Sequence, residues 1–465
     1  MTETSIDASG TAGHAEQSAG ADSSWPPLRQ AYAAAWILAI VQMCALFNNG
    51  VMTLLVESVK RDLHLSDMQM SYLLGFSVVL FYAFVGIPAA RLVDRHNRKW
   101  LMTGSIALWS AATAACGLAT TFWQFFAARF WIGTGESING PLSYSLLADY
   151  FPPEKLPRGI AIYNAGMQGG AALSLMFGAA MLQFLAGMPP IVLPGIGALK
   201  DWQVVFIVTG LLGIPVGLLM MCVAEPKRRR FAANADPSAH RMVTLREVLA
   251  YLVAHRRLYG PMFLGLSLTS IHMMGLAGWT AAFYSRTYGW SPAQVGFYQG
   301  TLSLVLAVPG LLGAILLNDW FRKRGHADTN MRVMAIGLTI AMPFAILAPL
   351  MPSPWLALAL FATGPAIMLI AAPSLNTALQ IITPNAMRGQ MTAIYLFLVL
   401  ALSQGLGPTW MAFLTEHVFG EEKLLRYAIA TSAAILFPAT AISYWVGLKP
   451  YRERILEMRA AGAPV

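Results

Sequence analysis

Asp94-Arg95-His96-Asn97-Arg98-Lys99 is a charged knot between two long apolar runs. A second copy, Asp319-Trp320-Phe321-Arg322-Lys323-Arg324, stands 225 residues later. In both, an acid is followed four and five residues on by two bases. A short charged segment between apolar runs reads as a loop between membrane helices. Its recurrence predicts a chain built twice.

Composition agrees. The 465 residues are 57% hydrophobic and 11% charged, whereas a soluble domain carries about 25% charged residues. A bilayer span needs about 20 apolar residues, so twelve spans use roughly 240. Apolar runs place spans at about 31–57, 68–90, 100–120, 122–148, 159–187 and 202–223, then 261–285, 294–318, 331–351, 355–380, 389–415 and 424–447. Runs of this length are helices, because a helix satisfies its own backbone in lipid. The expected organisation is a disordered cytoplasmic tail (1–28), a first six-helix bundle (29–223), a basic linker (224–260), a second bundle (261–448) and a short tail (449–465). In the linker, Thr244 with Glu247 reads as a capping box opening an amphipathic helix on the membrane face.

Charge fixes the topology. With both termini cytoplasmic, inside segments hold 24 of the 31 Lys and Arg. Outside loops hold Lys60, Arg61, Lys200, Arg286, Lys423 and Arg426, and Arg129 lies within a span. This positive-inside bias explains the net charge of +9 without nucleic acid. Cys44, Cys116 and Cys222 fall in apolar runs with no ligand spacing, so neither a metal nor a disulfide frame is expected. No Walker-type sequence is present, and no cofactor is expected. With no organelle-targeting or secretory segment in view, the expected location is a bacterial inner membrane.

A second repeat supports the duplication. Arg158-Gly159 precedes the fifth span and Arg388-Gly389 the eleventh, an offset of 230. Two parallel six-helix units with substrate held between them is a transporter arrangement. Gly166, Gly169-Gly170, Pro309-Gly310 and Gly407-Pro408 suit close packing and rocking of helices.

Arg129 and Glu136 are the foremost site candidates, since charges inside spans are costly and face a cavity or a partner. Seven residues is about two turns, so both lie on one helix face, roughly 10 Å apart. Glu136, near midplane, suits proton or substrate binding. Asn48 and Asn49 in the first span lie about as deep as Arg129, counting back from Glu57. His272 and Trp279 in the seventh span, Gln404 in the eleventh and Asn376 in the tenth are further polar or aromatic candidates.

The motifs also carry a resemblance. Asp94-Arg95-x-Asn97-Arg98-Lys99 resembles the signature loop of the major facilitator superfamily, with Ala90 and Asn97 at its usual glycines. Arg129-x-x-x-Gly133-x-Gly135-Glu136 is similar to that superfamily's second motif. Both motifs, with Gly405-Leu406-Gly407-Pro408, resemble the Spinster-like branch. The resemblance covers about residues 30–448 and implies a fold of 12 transmembrane helices in two six-helix bundles. It implies a gating role for Asp94, Arg95, Arg98, Asp149 and Asp319, and a cavity lined by spans one, four, seven and ten. Spinster-like proteins carry an adjacent acid and arginine in the first span; here Phe47-Asn48-Asn49-Gly50 stands there.

The expected function is a secondary active transporter, not an enzyme, moving an amphipathic or anionic organic small molecule, lipid-like in the branch it resembles. Protons are a candidate coupling ion and membrane lipid a partner. An uptake permease for a nutrient organic acid is the alternative. A non-transporting sensor fits poorly with such short tails.

Overall fold

The computed structural model describes residues 25–77, 96–194, 197–228, 244–324 and 326–461. It is almost wholly helical, with one two-stranded ribbon pairing Val192–Leu193 with Gly197–Ala198. In the first half, helices run Leu28–Leu54, Arg98–Cys116, Phe122–Tyr150, Leu156–Leu185 and Asp201–Met221, the last interrupted at Leu212. The second span opens at Asp67–Ser71 and passes into a π turn, Tyr72–Phe76. The second half has Arg256–Tyr288, Pro292–Lys323, Thr329–Leu347, Pro354–Ile382, Arg388–Phe413 and Leu425–Ala460. The fold is that of two six-helix bundles.

The described chain ends and the linker share one face of the molecule, here the near face; the opposite one is the far face. Helices outrun the apolar segments at the near face. The seventh starts at Arg256 rather than 261, and the twelfth continues to Ala460 rather than 447. The cause is polar anchoring. Arg452 in that extension donates to Asp328 at 2.7 Å, and Arg332 to the same carboxylate at 3.0 Å. Burial alone would raise the Asp328 carboxyl, but the hydrogen bonds from Arg332 and Arg452 and their charges outweigh it and lower it. The linker helix Leu245–Ala254 carries the expected reciprocal cap of Thr244 and Glu247.

The internal repeat extends beyond the knots. Ser66, Gln69 and Gly75 recur 225 residues on as Ser291, Gln294 and Gly300. Both Ser–Gln pairs close capping boxes at the far face, starting the second and eighth spans. Both glycines sit where the halves meet. A Cβ at Gly75 would stand 1.8 Å from the Gln404 carbonyl oxygen, and one at Gly300 2.9 Å from that of Ala172. Lacking side chains, these two positions let spans two and eleven, and five and eight, touch backbone to backbone.

Candidate functional site

The fourth span places Arg129 and Glu136 on the face turned to the first span. Asn48 Nδ2 donates to Glu136 Oε1 and Asn49 Nδ2 to Oε2, each at 3.3 Å. Arg129 Nη2 donates to Asn49 Oδ1 at 3.4 Å, so Asn49 bridges the two charges. Arg129 Nε donates to the Leu73 carbonyl at 3.2 Å, within the π turn of the second span. Arg129 is 1% exposed, and its Nη1 has no hydrogen-bond partner among the described residues. A buried guanidinium nitrogen left unpaired is costly, and a ligand oxygen would relieve it.

Asn48 and Asn49 therefore spend an amide N–H each on holding Glu136. Beside them Gly50 packs against Ser174 of the fifth span, where a Cβ would stand 1.8 Å from the hydroxyl. On that span, Ala171, Ala172 and Leu175 line a cavity of about 420 Å³ between the halves. Its other wall is Met273, Leu276 and Thr280 of the seventh span, Leu302 and Leu306 of the eighth, and Leu358 and Phe361 of the tenth. This wall is apolar apart from a few hydroxyl and amide groups.

Other sequence candidates lie elsewhere. His272 is fully buried within the second half, its Nδ1 3.0 Å from Ser432 Oγ of the twelfth span and its ring edge-on to Phe437. Its helix face is turned to the bundle interior, so it does not join the Arg129 group. Trp279 is buried at the contact of spans seven and eleven, donating to the Pro408 carbonyl at 3.0 Å. Gln404 presents its backbone carbonyl to Gly75. Asp94 and Arg95 lie outside the described residues, as do the side chains of Asp319 and Asn376.

Arg98 and Asp149 pair at 2.5 Å within the first half. Arg98 also bonds Glu225 at 2.8 Å, and Glu225 accepts from the Lys99 backbone at 2.9 Å. The knot thus clamps the start of the linker to the first bundle. Asn97 caps the third span, its Oδ1 accepting from Trp100 N at 3.2 Å, which gives the amide a local reason to stand there.

The far face carries a network that the sequence reading did not single out. Arg286, ending the seventh span, donates from Nη1 and Nη2 to Asp67 at 2.7 and 2.8 Å, and from Nε to Glu57 at 2.9 Å. Lys60 pairs with Asp67 at 2.5 Å and with Glu422 at 2.6 Å. Met68 N donates to Glu416 at 3.0 Å, and Ser71 Oγ to Thr409 Oγ at 3.4 Å. All four pairings with the second half (at Arg286, Glu422, Glu416 and Thr409) join the bundles across their seam. Burial alone would raise the Asp67 carboxyl, but hydrogen bonds from Arg286 and Lys60 and their charges outweigh it and hold it below the usual range. Burial would lower Arg286, but the Asp67 and Glu57 carboxylates raise it. The available sequence signal was the scarcity of bases in the outside loops, only six, with Arg286 at the end of a span.

Arg129 and Glu136 are not among the residues lining the cavity between the halves, which spans five, seven, eight and ten enclose rather than the expected one, four, seven and ten. Two six-helix bundles meeting around a cavity, with a buried charged pair inside the first bundle, define a membrane-transporter architecture. The sequence model of the Major Facilitator Superfamily matches residues 38–408, and the chain belongs to that family. A Mycolicibacterium smegmatis protein described as an MFS-type efflux pump is 25% identical over 435 residues, 92% of this chain and 95% of that protein. Protein spinster homolog 1 of Xenopus tropicalis is 25% identical over 311 residues, 63% of this chain and 55% of that one. Among solved structures, a bacterial homologue of the human lysosomal transporter Spinster superposes with a TM-score of 0.75 at 23% identity, over 93% of this chain and 98% of that chain.

Proposed function

We propose that this protein is a secondary transporter carrying an amphipathic organic anion by alternating access, with Arg129 and Glu136 at the polar wall of the site. One observation carries the reading: matched helices have become chemically unequal. The fourth and tenth spans are each 29 residues long. Position eight is Arg129 in one and Phe361 in the other, and the tenth span has no charged residue. An apolar cavity between the halves, with Arg129 buried in the first bundle as the cation that an anionic head would reach, fits a molecule with an anionic head and a hydrocarbon body.

The bias of basic residues puts the near face in the cytoplasm of a bacterial inner membrane. The joined far face is then the closed outer side, and substrate exchanges with the cytoplasm. Asp94, Arg95 and Asp319 act in the opposite closure, and Arg98 with Asp149 anchors the loop that carries them. Asp94→Asn is expected to insert normally and transport slowly; full-rate transport would remove Asp94 from gating. Similarity to an efflux pump over 92% of the chain supports export as the direction.

The test is flux in proteoliposomes against a panel of amphipathic anions, with and without a proton gradient. Uptake that requires both the anionic head and Arg129 supports the reading. Preference for short, non-amphipathic organic acids would overturn it in favour of a nutrient permease.

A further inference from the structure

Gln42 stands seven residues before Asn49 in the first span, almost two turns, and so lies on the same helix face about 10 Å towards the near face. Its Oε1 accepts two hydrogen bonds, from Asn139 Nδ2 at 2.9 Å and from the Tyr163 hydroxyl at 2.7 Å. Asn139 is itself fixed, its Oδ1 accepting from Ser143 Oγ at 3.2 Å. Asn139 and Tyr163 are 1% and 3% exposed, whereas Gln42 is half-buried. With Asn139 and Tyr163 both donating, Gln42 has its oxygen held from two sides. Its NH2 end faces away from those partners, and no hydrogen bond to it is found among the described residues.

The patch adjoins the cavity. Tyr144, 46% exposed, packs edge-on to Tyr163 and donates to Asn164 Oδ1 at 3.4 Å. Asn164, Gln168, Ala171 and Leu175 recur at helical spacing on one face of the fifth span, and the last three line the cavity wall. Both Glu136 oxygens are already taken by Asn48 and Asn49. On the first-bundle side, Arg129 Nη1 and Gln42 Nε2 are two donors with no hydrogen-bond partner among the described residues.

We propose that Gln42, held by Asn139 and Tyr163, is a second, uncharged subsite that takes a hydrogen-bond acceptor of the substrate, such as a carbonyl or ester oxygen, about 10 Å from its anionic group. The inference rests on Arg129 binding that anionic group. It assigns Asn139 and Tyr163 as positioning residues and narrows the cargo from any amphipathic anion to one with a second acceptor along its chain.

The test uses the full-length protein in lipid nanodiscs, with empty nanodiscs as the blank. The probes are decanoate and the monomethyl ester of decanedioic acid, which adds an ester carbonyl at the far end of a similar chain. Wild type is expected to bind the ester about fivefold more tightly, the worth of one neutral hydrogen bond. Gln42→Glu keeps both accepted bonds, and so the fold, but loses the donor; the ratio of the two affinities falls to about one or below. Tyr163→Phe loosens the amide and lowers the ratio part-way, with decanoate affinity unchanged. A ratio near one in wild type, or a ratio untouched by Gln42→Glu, overturns the subsite alone so long as decanoate binding depends on Arg129. Failure of both probes to bind overturns the reading of the Arg129 site, and this inference with it.

Discussion

Replacing Arg286 by Gln should open the far face. The guanidinium is 6% exposed and grips Asp67 with two nitrogens while reaching Glu57 with a third. Removing one partner of a buried ion pair costs about 3–5 kcal/mol, because the other charge is left behind. Two features here hold the cost to the lower end. Asp67 keeps Lys60 at 2.5 Å, and Glu57, 30% exposed, can rehydrate. At about 3 kcal/mol, the balance between joined and parted far faces moves roughly 100-fold. The readout is a cysteine at Ser71, fully buried in the seam, in a background with Cys44, Cys116 and Cys222 replaced. While the joined state dominates, labelling by a charged thiol reagent is proportional to the parted fraction. Arg286→Gln should then speed labelling about 100-fold. An increase below about threefold would mean that the network does not hold this face shut.

The same network sets a pH expectation. The Asp67 carboxyl is lowered by its cationic partners. Its contribution to closure is full above the unpaired carboxylate value, near 3.8, and is lost only as pH falls through the lowered one. Labelling of Ser71→Cys, divided at each pH by that of a freely exposed thiol to remove the thiolate fraction, should therefore be flat from about pH 5 to 8 and rise only in stronger acid. A rise between pH 7 and about 6 would show that a different group controls the seam.

Three further perturbations test other parts of the structure. Glu136→Gln should abolish the pH dependence of transport while leaving the protein folded, because the amide oxygen still accepts from one asparagine and Asn48 can turn its own oxygen to the new NH2; an unchanged pH–flux profile would remove the proton role. Arg98→Met should lower thermal stability by about 3 kcal/mol, since Asp149, 6% exposed, and Glu225 both lose the Arg98 guanidinium; an unaltered melting curve in detergent would contradict the clamp. Gly300→Leu should speed labelling of Ser71→Cys, because even its Cβ would fall 2.7 Å from Met176 Cγ and 2.9 Å from the Ala172 carbonyl oxygen; slower labelling would mean that the seam does not close there.

The helices were legible because an apolar run of span length has few other uses, and the duplication because charged loops repeat at a fixed offset. Arg129 and Glu136 were legible for a related reason: a charge within a span stands out. Gln42 did not stand out, since a lone glutamine is ordinary in any helix. Its significance comes from Asn139 and Tyr163, 97 and 121 residues away. Arg286 was hidden differently. A base at a span end is unremarkable in sequence, and its partners Glu57 and Asp67 lie 229 and 219 residues off. His272 erred the other way, because depth in a span says nothing of which helix face it occupies.

These cases suggest what duplication leaves readable. The parts that let the halves meet stayed alike: Ser66 and Ser291 start equivalent helices, and Gly75 and Gly300 sit in equivalent seams. The parts proposed to meet the cargo differ, with Arg129 on one side and Phe361 on the other. Residues that serve the movement answer to the same geometric demand twice, so the repeat preserves them. Residues that serve recognition answer to one asymmetric molecule, so a symmetric pair of walls would fit it poorly. On this argument, positions where the two halves disagree inside the cavity are the ones to test for selectivity. Exchanging Phe361 for a polar residue should then relax the demand for a hydrocarbon body while leaving the far-face seam as tight as before.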